Sequence, residues 1–488
     1  MSSTMLSKSR HLNGLQCPRL LWIASNEPER IPEPDAATQH IFDQGHIVGE
    51  MAKTLFPGGL DVPAKDFMGN IAKTKELLQQ RRPLFEAGVL SGRIYSRVDI
   101  LNPVNENRWD IIEVKSSTSV KEVNLHDVSF QRLCCEDSGL KIRKCFLAHI
   151  NNQYFRNGAI DPEQLFVLQD VSDEVAAVGE GIRDRSTEML EVIGAPSCPE
   201  MTIGAHCSDP YPCPLTDCWN SLPEHHVFTL YRGSKKSDEL YHSGVFSIAD
   251  IPASCKLNDK QRIQCDCVVS GQPYLDKASV RGFLSSLRYP LYYLDFETIS
   301  PAVPLFDGTR PYQKIPFQFS LHVQAGPGTG VQHFGYLADG PQDPRPKLLE
   351  HLRKAIGSEG SIVVYNQSFE EGALTDLGTA FPEYREWTQS VIARLVDLFV
   401  PFRNFHYYHP QQKGSASIKS VLPAIDGKGY EGLAIADGEM ASIAFMNVTY
   451  GEVSEEERQR VRSDLIAYCG LDTEGMTRIV ERLRELVG

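Results

Sequence analysis

The stretch LYYLDFETISPAV, which begins at Leu291, constrains this chain more than any other. A run of strand-forming apolar residues ends in two carboxylates, Asp295 and Glu297, one residue apart. Residues i and i+2 of a strand share a face, so both acids project together from the end of a buried strand. Like charges that close repel unless a cation lies between them, and a hard divalent ion with oxygen ligands is the usual solution. A strand ending in two solvated acids is the plain alternative.

A metal site needs more acids from other elements of the same domain. SIVVYNQSFEEGAL offers an apolar strand ending at Asn366, then a helix with Ser368 as its expected cap and Glu370 and Glu371 in its first turn. Acids there also answer to the helix dipole. The last helix, SEEERQRVRSDLIAYCGLDTEGMTRIVERLREL, opens on a Ser454 cap and three acids and then carries apolar residues at helical spacing. Tyr468 and Asp472, four residues apart, project from one face near a helix end.

LDFET, YNQSFE and YCGLD, in that order, resemble the three motifs of the DnaQ-like DEDD exonucleases, on a ribonuclease H-like fold. The Tyr468-xxx-Asp472 spacing matches the subclass whose third motif carries tyrosine. The resemblance implies 3′-to-5′ hydrolysis of nucleic acid by two Mg²⁺ or Mn²⁺ ions, with Asp295, Glu297 and Asp472 as core ligands and Tyr468 orienting the attacking water. The family's second motif usually has aspartate where this chain has Glu370, so the longer side chain must reach the metal differently or act through water, and Glu371 is its rival. Asp397 in ARLVDLF is similar to an acid found after the second motif and is expected to be structural. Between the motifs, GTRPYQKIPFQFS and FHYYHPQQKGSASIKSVLP mix Arg310, Lys413 and Lys419 with aromatics. That mixture suits base stacking and phosphate contact on single strands, or an ordinary loop packed on its rings.

A second carboxylate pattern lies in GRIYSRVDILNPVNENRWDIIEVKSST, where two strand-like runs flank the turn-rich NPVNEN. Asp99 falls in the first strand, and Glu113 and Lys115 share a face of the second. Two acids can hold a divalent ion while an ammonium orients water or offsets phosphate charge; a salt-bridged, exposed hairpin is the alternative. The Asp, then Glu-x-Lys, order resembles the PD-(D/E)XK nucleases. The helix NLHDVSFQRLCC would place Gln131 where RecB-like members carry a glutamine near the active site, and RKCFLAHIN reads as the returning strand. RecB-like relatives also commonly carry a histidine ligand in an early helix, in a Gly-x-x-Val-His context; this chain reads GHIVGE, with Gly49 at that position, so the ligand is either absent or replaced by Glu50 or His46.

Twelve cysteines in a chain without an export signal argue against a disulfide framework and for metal or cluster ligation. Cys134 with Cys135, and Cys265 with Cys267, form two tight pairs. The iron-sulfur members of the RecB-like group, AddB and the CRISPR adaptation nucleases among them, join one cysteine before the nuclease core to three after it. Cys17 and then Cys207, Cys213 and Cys218 are similar to that arrangement, which implies a 4Fe-4S cluster acting as a staple. The downstream spacing is wider than in those relatives, so four-cysteine zinc and unligated core cysteines stay open, with Cys198 the substitute for Cys207.

At 488 residues the chain exceeds one hydrophobic core. The expected α/β multidomain organisation has a PD-(D/E)XK restriction-endonuclease-like domain with the cysteine cluster over 1–220, a small helical connector over 221–288 and a ribonuclease H-like exonuclease domain over 289–488. In the connector, YHSGVFSIADIP resembles a helix-hairpin-helix module, with a Gly turn between a helix end and a second short helix. The net charge of −14 argues against a generally basic, nucleic-acid-coating surface, though not against a local grip. No apolar run approaches the roughly 20 residues that span a bilayer, and MSSTMLSKSRHL lacks a signal-peptide core, so a cytoplasmic location without membrane contact is expected.

The whole chain resembles a bacterial family that fuses a RecB-like nuclease domain to a DnaQ-like exonuclease domain. That resemblance implies a metal-dependent nuclease trimming nucleic acid, DNA with single-stranded 3′ ends first, with a second nuclease site in the N-terminal half. An RNA exonuclease, or a nucleic-acid-binding scaffold with one or both sites inactive, is the alternative.

Overall fold

The computed structural model describes residues 5–63, 66–105 and 107–488. It is an α/β protein of two compact units, each with a mixed sheet. Met1–Ser221 and Pro301–Tyr312 form the first; Leu222–Ser300 and Gln313–Gly488 form the second. Two parts of the expected organisation fall differently. The segment 221–288 belongs almost wholly to the second unit, and Pro301–Tyr312, from within 289–488, belongs to the first.

The seven strands of the first unit are β1 (Leu6–Ser7), β2 (Leu60–Asp61), β3 (Leu84–Ser91), β4 (Ile94–Asn105), β5 (Arg108–Lys115), β6 (Lys141–Ile150) and β7 (Phe166–Asp170). They run in the order β2-β3-β4-β5-β6-β7, and β1 pairs in parallel with the start of β4 on the edge that β5 reaches only from Ile100. The expected hairpin joins β4 and β5, but β4 continues through Asn102, Pro103 and Asn105, so most of NPVNEN is strand. Its Glu106 lies outside the described residues. β5 and β6 are parallel, which requires a crossover, here α5 (Glu122–Asp137).

Alternation along β5 sorts its side chains into two cores. Ile111 packs with Val128 and Phe130 of α5, whereas Ile112 packs on the other face with Val48 and Ala52 of α3 (Ala36–Lys53). Glu113 and Lys115 follow the parity of Ile111, so both point to the α5 side. The β3–β4 ladder runs to Phe85↔Ile100 and resumes at Ala87↔Val98. Glu86, in the gap opposite Asp99, has a left-handed backbone with φ 60°.

In the second unit, β8 (Tyr274–Leu275) pairs with β14 (Tyr407–Tyr408). The main sheet contains β9 (Leu291–Ile299), β10 (Ile315–Gln324), β11 (Val331–Leu337), β12 (Ser361–Val364) and β13 (Leu395–Asp397), in the order β11-β10-β9-β12-β13. The pairs β9–β10 and β10–β11 are antiparallel; β9–β12 and β12–β13 are parallel. Leu291 and Tyr293 pack beneath the 33-residue helix Glu455–Val487, against Met476, Ile479 and Leu483. Tyr292, Leu294 and Phe296 pack on the opposite face with Leu348 and Leu374. Asp295 and Glu297 keep the parity of Tyr293, so they project towards the long helix. Tyr468 and Asp472 sit in the middle of that helix, not near its end, because its apolar spacing continues to Val487.

The helix Gln367–Ala380 is preceded by Asn366 as its cap residue, in a left-handed conformation with φ 82°, instead of by Ser368, whose hydroxyl bonds Asn366 Oδ1 at 2.9 Å. The expected hairpin around Gly244 has one helix, Lys235–His242; its second limb is a single 3₁₀ turn, Ile248–Asp250. Among the described residues no helix is long and apolar enough to cross a membrane.

Candidate metal centres

Parity on β9 and helical spacing on Glu455–Val487 bring four carboxylates together in the second unit: Asp295, Glu297, Glu370 and Asp472. Glu297, Glu370 and Asp472 are buried and Asp295 is partly so. Glu370 reaches the group because it lies one turn before Ala373 and Leu374, which pack on the sheet. Its rival Glu371 is exposed and bonds Gln367. Burial raises the proton affinity of all four acids, and their mutual repulsion raises it further for Asp295, Glu297 and Glu370. Asp472 is pushed up to about 6 by burial, against the pull of Tyr430, Lys419 and Tyr468.

The Tyr430 hydroxyl donates to Asp472 Oδ1, and Tyr468 bonds the same carboxylate. Lys419 Nζ lies 5.1 Å from the Tyr468 ring centroid and 5.9 Å from that of Tyr430. Its charge favours the ionised forms of Asp295, Glu297 and Asp472. Asp295, Glu297 and Cys469 place ligand atoms within 4.8 Å of one another, the one such group among the described residues. The Cys469 thiol, held neutral by burial, donates to Asp295 Oδ2 at 3.6 Å, so the donor set is oxygen and suits a hard ion. Glu370 Oε2 is buried without a hydrogen-bond partner, an oxygen whose desolvation a cation would offset.

Asp397 does not join this group. Its Oδ1 accepts from the backbone N–H of Asn366 and of Phe399, each at 3.0 Å, and so holds the turn before the Glu370 helix. Of the cations between the motifs, Lys419 reaches the carboxylates, Lys413 pairs with Glu224 at 3.2 Å, and Arg310 lies in the other unit. Tyr430, in the loop GKGYEG, carries no local signal; Cys469 was visible beside Tyr468.

The first unit also assembles its expected residues. Glu113 Oε1 accepts from Lys115 Nζ at 2.6 Å and its Oε2 from Gln131 Nε2 at 2.6 Å. Asp99 Oδ2 accepts from Val114 N at 2.9 Å, which ties β4 to β5. Two further residues join them. Asp127, one helical turn before Gln131, accepts from Lys115 at 2.7 Å and from Gln131 at 3.2 Å. Lys8, the first residue of α1 (Lys8–Gln16), donates to Glu113 Oε1 at 3.0 Å and lies 3.8 Å from Asp99 and 3.7 Å from Asp127. Burial alone would raise Glu113, but Lys115 and Lys8 hold it well below the usual carboxylate range. Asp99 is pushed up to about 7 by burial and by Glu113. The Asp127 to Gln131 spacing could have revealed Asp127; Lys8, 105 residues from Glu113, could not be read locally.

Of these, Lys8, Asp99, Glu113 and Lys115 line a cleft of about 740 Å³. Its wall includes His46, Gly49 and Glu50 of α3, so the position expected to hold a histidine faces the cleft. A Cβ at Gly49 would meet nothing within 4 Å. Glu50 is tied to Lys53 at 2.6 Å.

Cys17, Cys198, Cys213 and Cys218 share one apolar cluster around Leu20 and Leu215. Cys207 is held beside Cys213, whose N–H donates to its carbonyl at 2.8 Å. Gln16 Nε2 donates to the carbonyls of His206 and Tyr211 at 2.8 and 2.7 Å, which ties the Cys17 turn to that loop. Burial pushes the thiols of Cys198, Cys213 and Cys218 up. No three of these sulfurs fall within 4.8 Å of one another. A single zinc needs sulfurs about 3.8 Å apart, whereas an iron-sulfur cluster interposes its own atoms and takes a wider set. Cys134 and Cys135 lie in the core of the first unit, and Cys265 and Cys267 lie on the helix Asp259–Ser270; neither pair joins the cluster.

Residues 292–417 match a family model described as Domain of unknown function (DUF2779). "Uncharacterized protein MG366" of Mycoplasma genitalium is 28% identical over 222 residues, which cover 42% of this chain and 33% of that protein. Its homolog in Mycoplasma pneumoniae is 28% identical over 220 residues, and "Uncharacterized protein UU173" of Ureaplasma parvum is 24% identical over 225, again covering about a third of each relative. The aligned part of this chain spans about a third of the length of the curated relatives it matches.

Proposed function

We propose that this chain is a metal-dependent nuclease, with a 3′-to-5′ exonuclease site in the second unit and a second nuclease site in the first. The observation that carries the reading is the convergence of Asp295, Glu297, Glu370 and Asp472, three of them buried and Asp295 partly so, with repulsion raising Asp295, Glu297 and Glu370 and one Glu370 oxygen left without a partner. The order β11-β10-β9-β12-β13, with carboxylates on the central strand, supports a ribonuclease H-like fold. The β4–β5–α5–β6 arrangement around Asp99, Glu113, Lys115 and Gln131 supports a PD-(D/E)XK domain.

Asp295, Glu297 and Asp472 would hold Mg²⁺ or Mn²⁺, with Glu370 completing the set. Such ions acidify water and neutralise charge on the leaving oxygen of a phosphodiester. The chain itself does the positioning. Tyr430 fixes one oxygen of Asp472, Tyr468 presents its phenol to the same acid to orient the attacking water, and Lys419 supplies positive charge for a phosphate. In the first unit Asp99, Glu113 and Asp127 would offer oxygens, and Lys115, which donates to Glu113 and Asp127, would contact a phosphate or polarise water. Cys17, Cys207, Cys213 and Cys218, or Cys198 in place of Cys207, would hold a 4Fe-4S cluster, with zinc as the alternative.

A second reading applies to the first unit alone: it binds strands without cutting them. Lys8 favours it, because its ammonium already lies among the carboxylates that a divalent ion would need.

The test is hydrolysis of end-labelled single-stranded DNA and RNA in Mg²⁺ or Mn²⁺, by anaerobically purified wild type, Asp295→Ala, Lys115→Ala and the double variant. Asp295→Ala is expected to slow 3′-end trimming by about 10² or more, the scale on which removal of one electrostatic catalytic group acts. No cleavage by wild type overturns the proposal, and equal cleavage by Asp295→Ala removes the second unit from it. Bound iron and sulfide with a brown colour, lost in Cys213→Ser, would decide the cluster against zinc.

A further inference from the structure

The face of the second unit's sheet that carries Asp295 continues across β10 and β11. Ser320 stands opposite Asp295 in the β9–β10 register, His322 follows two residues on, and His333 of β11 stands opposite His322. Residues i and i+2 share a face, so Ser320 and both histidines lie on the side of the long helix Glu455–Val487, as the acids do. Ser320 is buried, His322 partly buried and His333 exposed. The two imidazoles stack, with centroids 4.4 Å apart and planes inclined by 22°.

Four hydrogen bonds set the tautomers of these rings. The Gly470 carbonyl can only accept, so the Thr473 hydroxyl donates to it, at 3.1 Å. With its one proton placed, Thr473 Oγ1 accepts from its other two partners, Ser320 Oγ at 2.7 Å and His322 Nδ1 at 2.8 Å. Ser320 thereby spends its own proton, so it accepts from His333 Nε2 at 2.9 Å. Each ring donates one N–H to the hydroxyl chain and keeps one lone pair, His322 on Nε2 and His333 on Nδ1. Neither of those nitrogens has a hydrogen-bond partner among the described residues. Burial, with His333 beside it, pushes His322 down to about 4, and burial lowers His333 against the pull of Glu474. Both lone pairs are therefore available at neutral pH.

We propose that His322 and His333 form a binding site for a borderline divalent cation such as Zn²⁺, beside the carboxylate centre and distinct from it. A neutral imidazole whose other nitrogen donates to a fixed oxygen is the usual form of a histidine ligand, and nitrogen donors select such ions over Mg²⁺. With Zn–N of about 2.0–2.1 Å, two ligands on a tetrahedral ion stand about 3.3 Å apart, a spacing that stacked rings reach by a tilt of the exposed His333. Among the described residues no third histidine, cysteine or acid places a ligand atom within 4.8 Å of both. Water fills the other positions, so the ion exchanges with its surroundings. When bound it clamps β10 to β11 and, through Thr473, bears on the helical turn that holds Asp472. The site stands whether or not the carboxylate centre cuts nucleic acid.

The experiment is equilibrium dialysis of the full chain against Zn²⁺ in saturating Mg²⁺, which occupies hard-ion sites. His322→Asn and His333→Gln keep an N–H for Thr473 and Ser320 but remove the free ring nitrogens. The double variant is expected to bind about one Zn²⁺ fewer per chain than wild type. Ser320→Ala, which takes the acceptor from His333, should weaken that ion about tenfold to a hundredfold. Diethyl pyrocarbonate, read by peptide mass spectrometry, should label His322 and His333 in the free protein and spare both in Zn²⁺, with exposed His242 labelled alike in each state. Equal zinc counts in wild type and a double variant of unchanged melting curve overturn the site. If that variant melts early, His333→Gln, at its exposed position, carries the same test. Undiminished labelling of His333 in Zn²⁺, or equal protection by Mg²⁺ alone, overturns it too, as does loss of the ion from Asp295→Ala in place of the histidine variants. Histidine-dependent zinc in a chain that hydrolyses nothing supports this site and overturns the nuclease reading alone.

Discussion

Tyr430 illustrates how one residue sets the working range of a site. Burial pushes Asp472 up to about 6 even with the Tyr430 hydroxyl, which donates to its carboxylate, pulling it down. Ligand carboxylates must be ionised, so activity should fall as pH drops through that region, and Tyr430→Phe should move the acidic limb of the pH–rate profile to higher pH. A limb that stays in place would show that Asp472 does not control it. Lys8 allows a second test. If its ammonium stands in an ion's place, Lys8→Met should tighten Mn²⁺ binding to the first unit by calorimetry, with Asp295→Asn in the background to silence the other centre. Weaker binding in Lys8→Met would instead mark Lys8 as a support for the ligands.

At the scale of elements, β9 sorts its residues between two cores and carries its acids on one face, so the strand and the long helix form a single charged unit. In the absence of metal, the folded state binds protons at Asp295, Glu297, Glu370 and Asp472 more tightly than the unfolded chain does. The stability these groups contribute is present below the ordinary carboxylate pKa and is lost as pH rises through their folded values. In EDTA the melting temperature should therefore fall between pH 5 and 8, and Asp295→Asn should flatten that slope. Saturating Mg²⁺ or Mn²⁺ should reverse it, by about 2.7 kcal/mol at a hundredfold excess over Kd. This much was legible in the sequence, because strand parity and the four-residue helical spacing are local rules: Asp295 with Glu297, Tyr468 with Asp472, and Glu113 with Lys115. What was hidden came from far along the chain. Lys8 and Tyr430 reach their acids across 105 and 42 residues, and only the folded packing brings them there. Ser368 misled because Asn366, in a left-handed conformation, took the cap position first.

For the molecule as a whole, the division into units does not follow the order of the chain. Pro301–Tyr312 supplies Ala302 to the core of the first unit and closes the Arg156 bonds. A fragment ending at Ser221 should accordingly be destabilised: Ala302, Val303 and Tyr312 leave an apolar patch, and Arg156 loses carbonyl partners. Expressed alone it should melt earlier than the full chain and bind a hydrophobic dye, and adding Pro301–Tyr312 through a Gly-Ser linker should restore it. A fragment as stable as the full chain would show that the segment only rests on the surface.

The same segment sets a clock for biosynthesis. When Ser221 leaves the ribosome the first unit still lacks its last core residues, and roughly 90 more must be translated before Tyr312 emerges. At 5 to 20 residues per second that is an interval of about 5 to 18 s in which the nascent unit shows its open apolar face to chaperones and proteases. Stalling the ribosome just before or just after this segment should separate a protease-sensitive nascent chain from a resistant one.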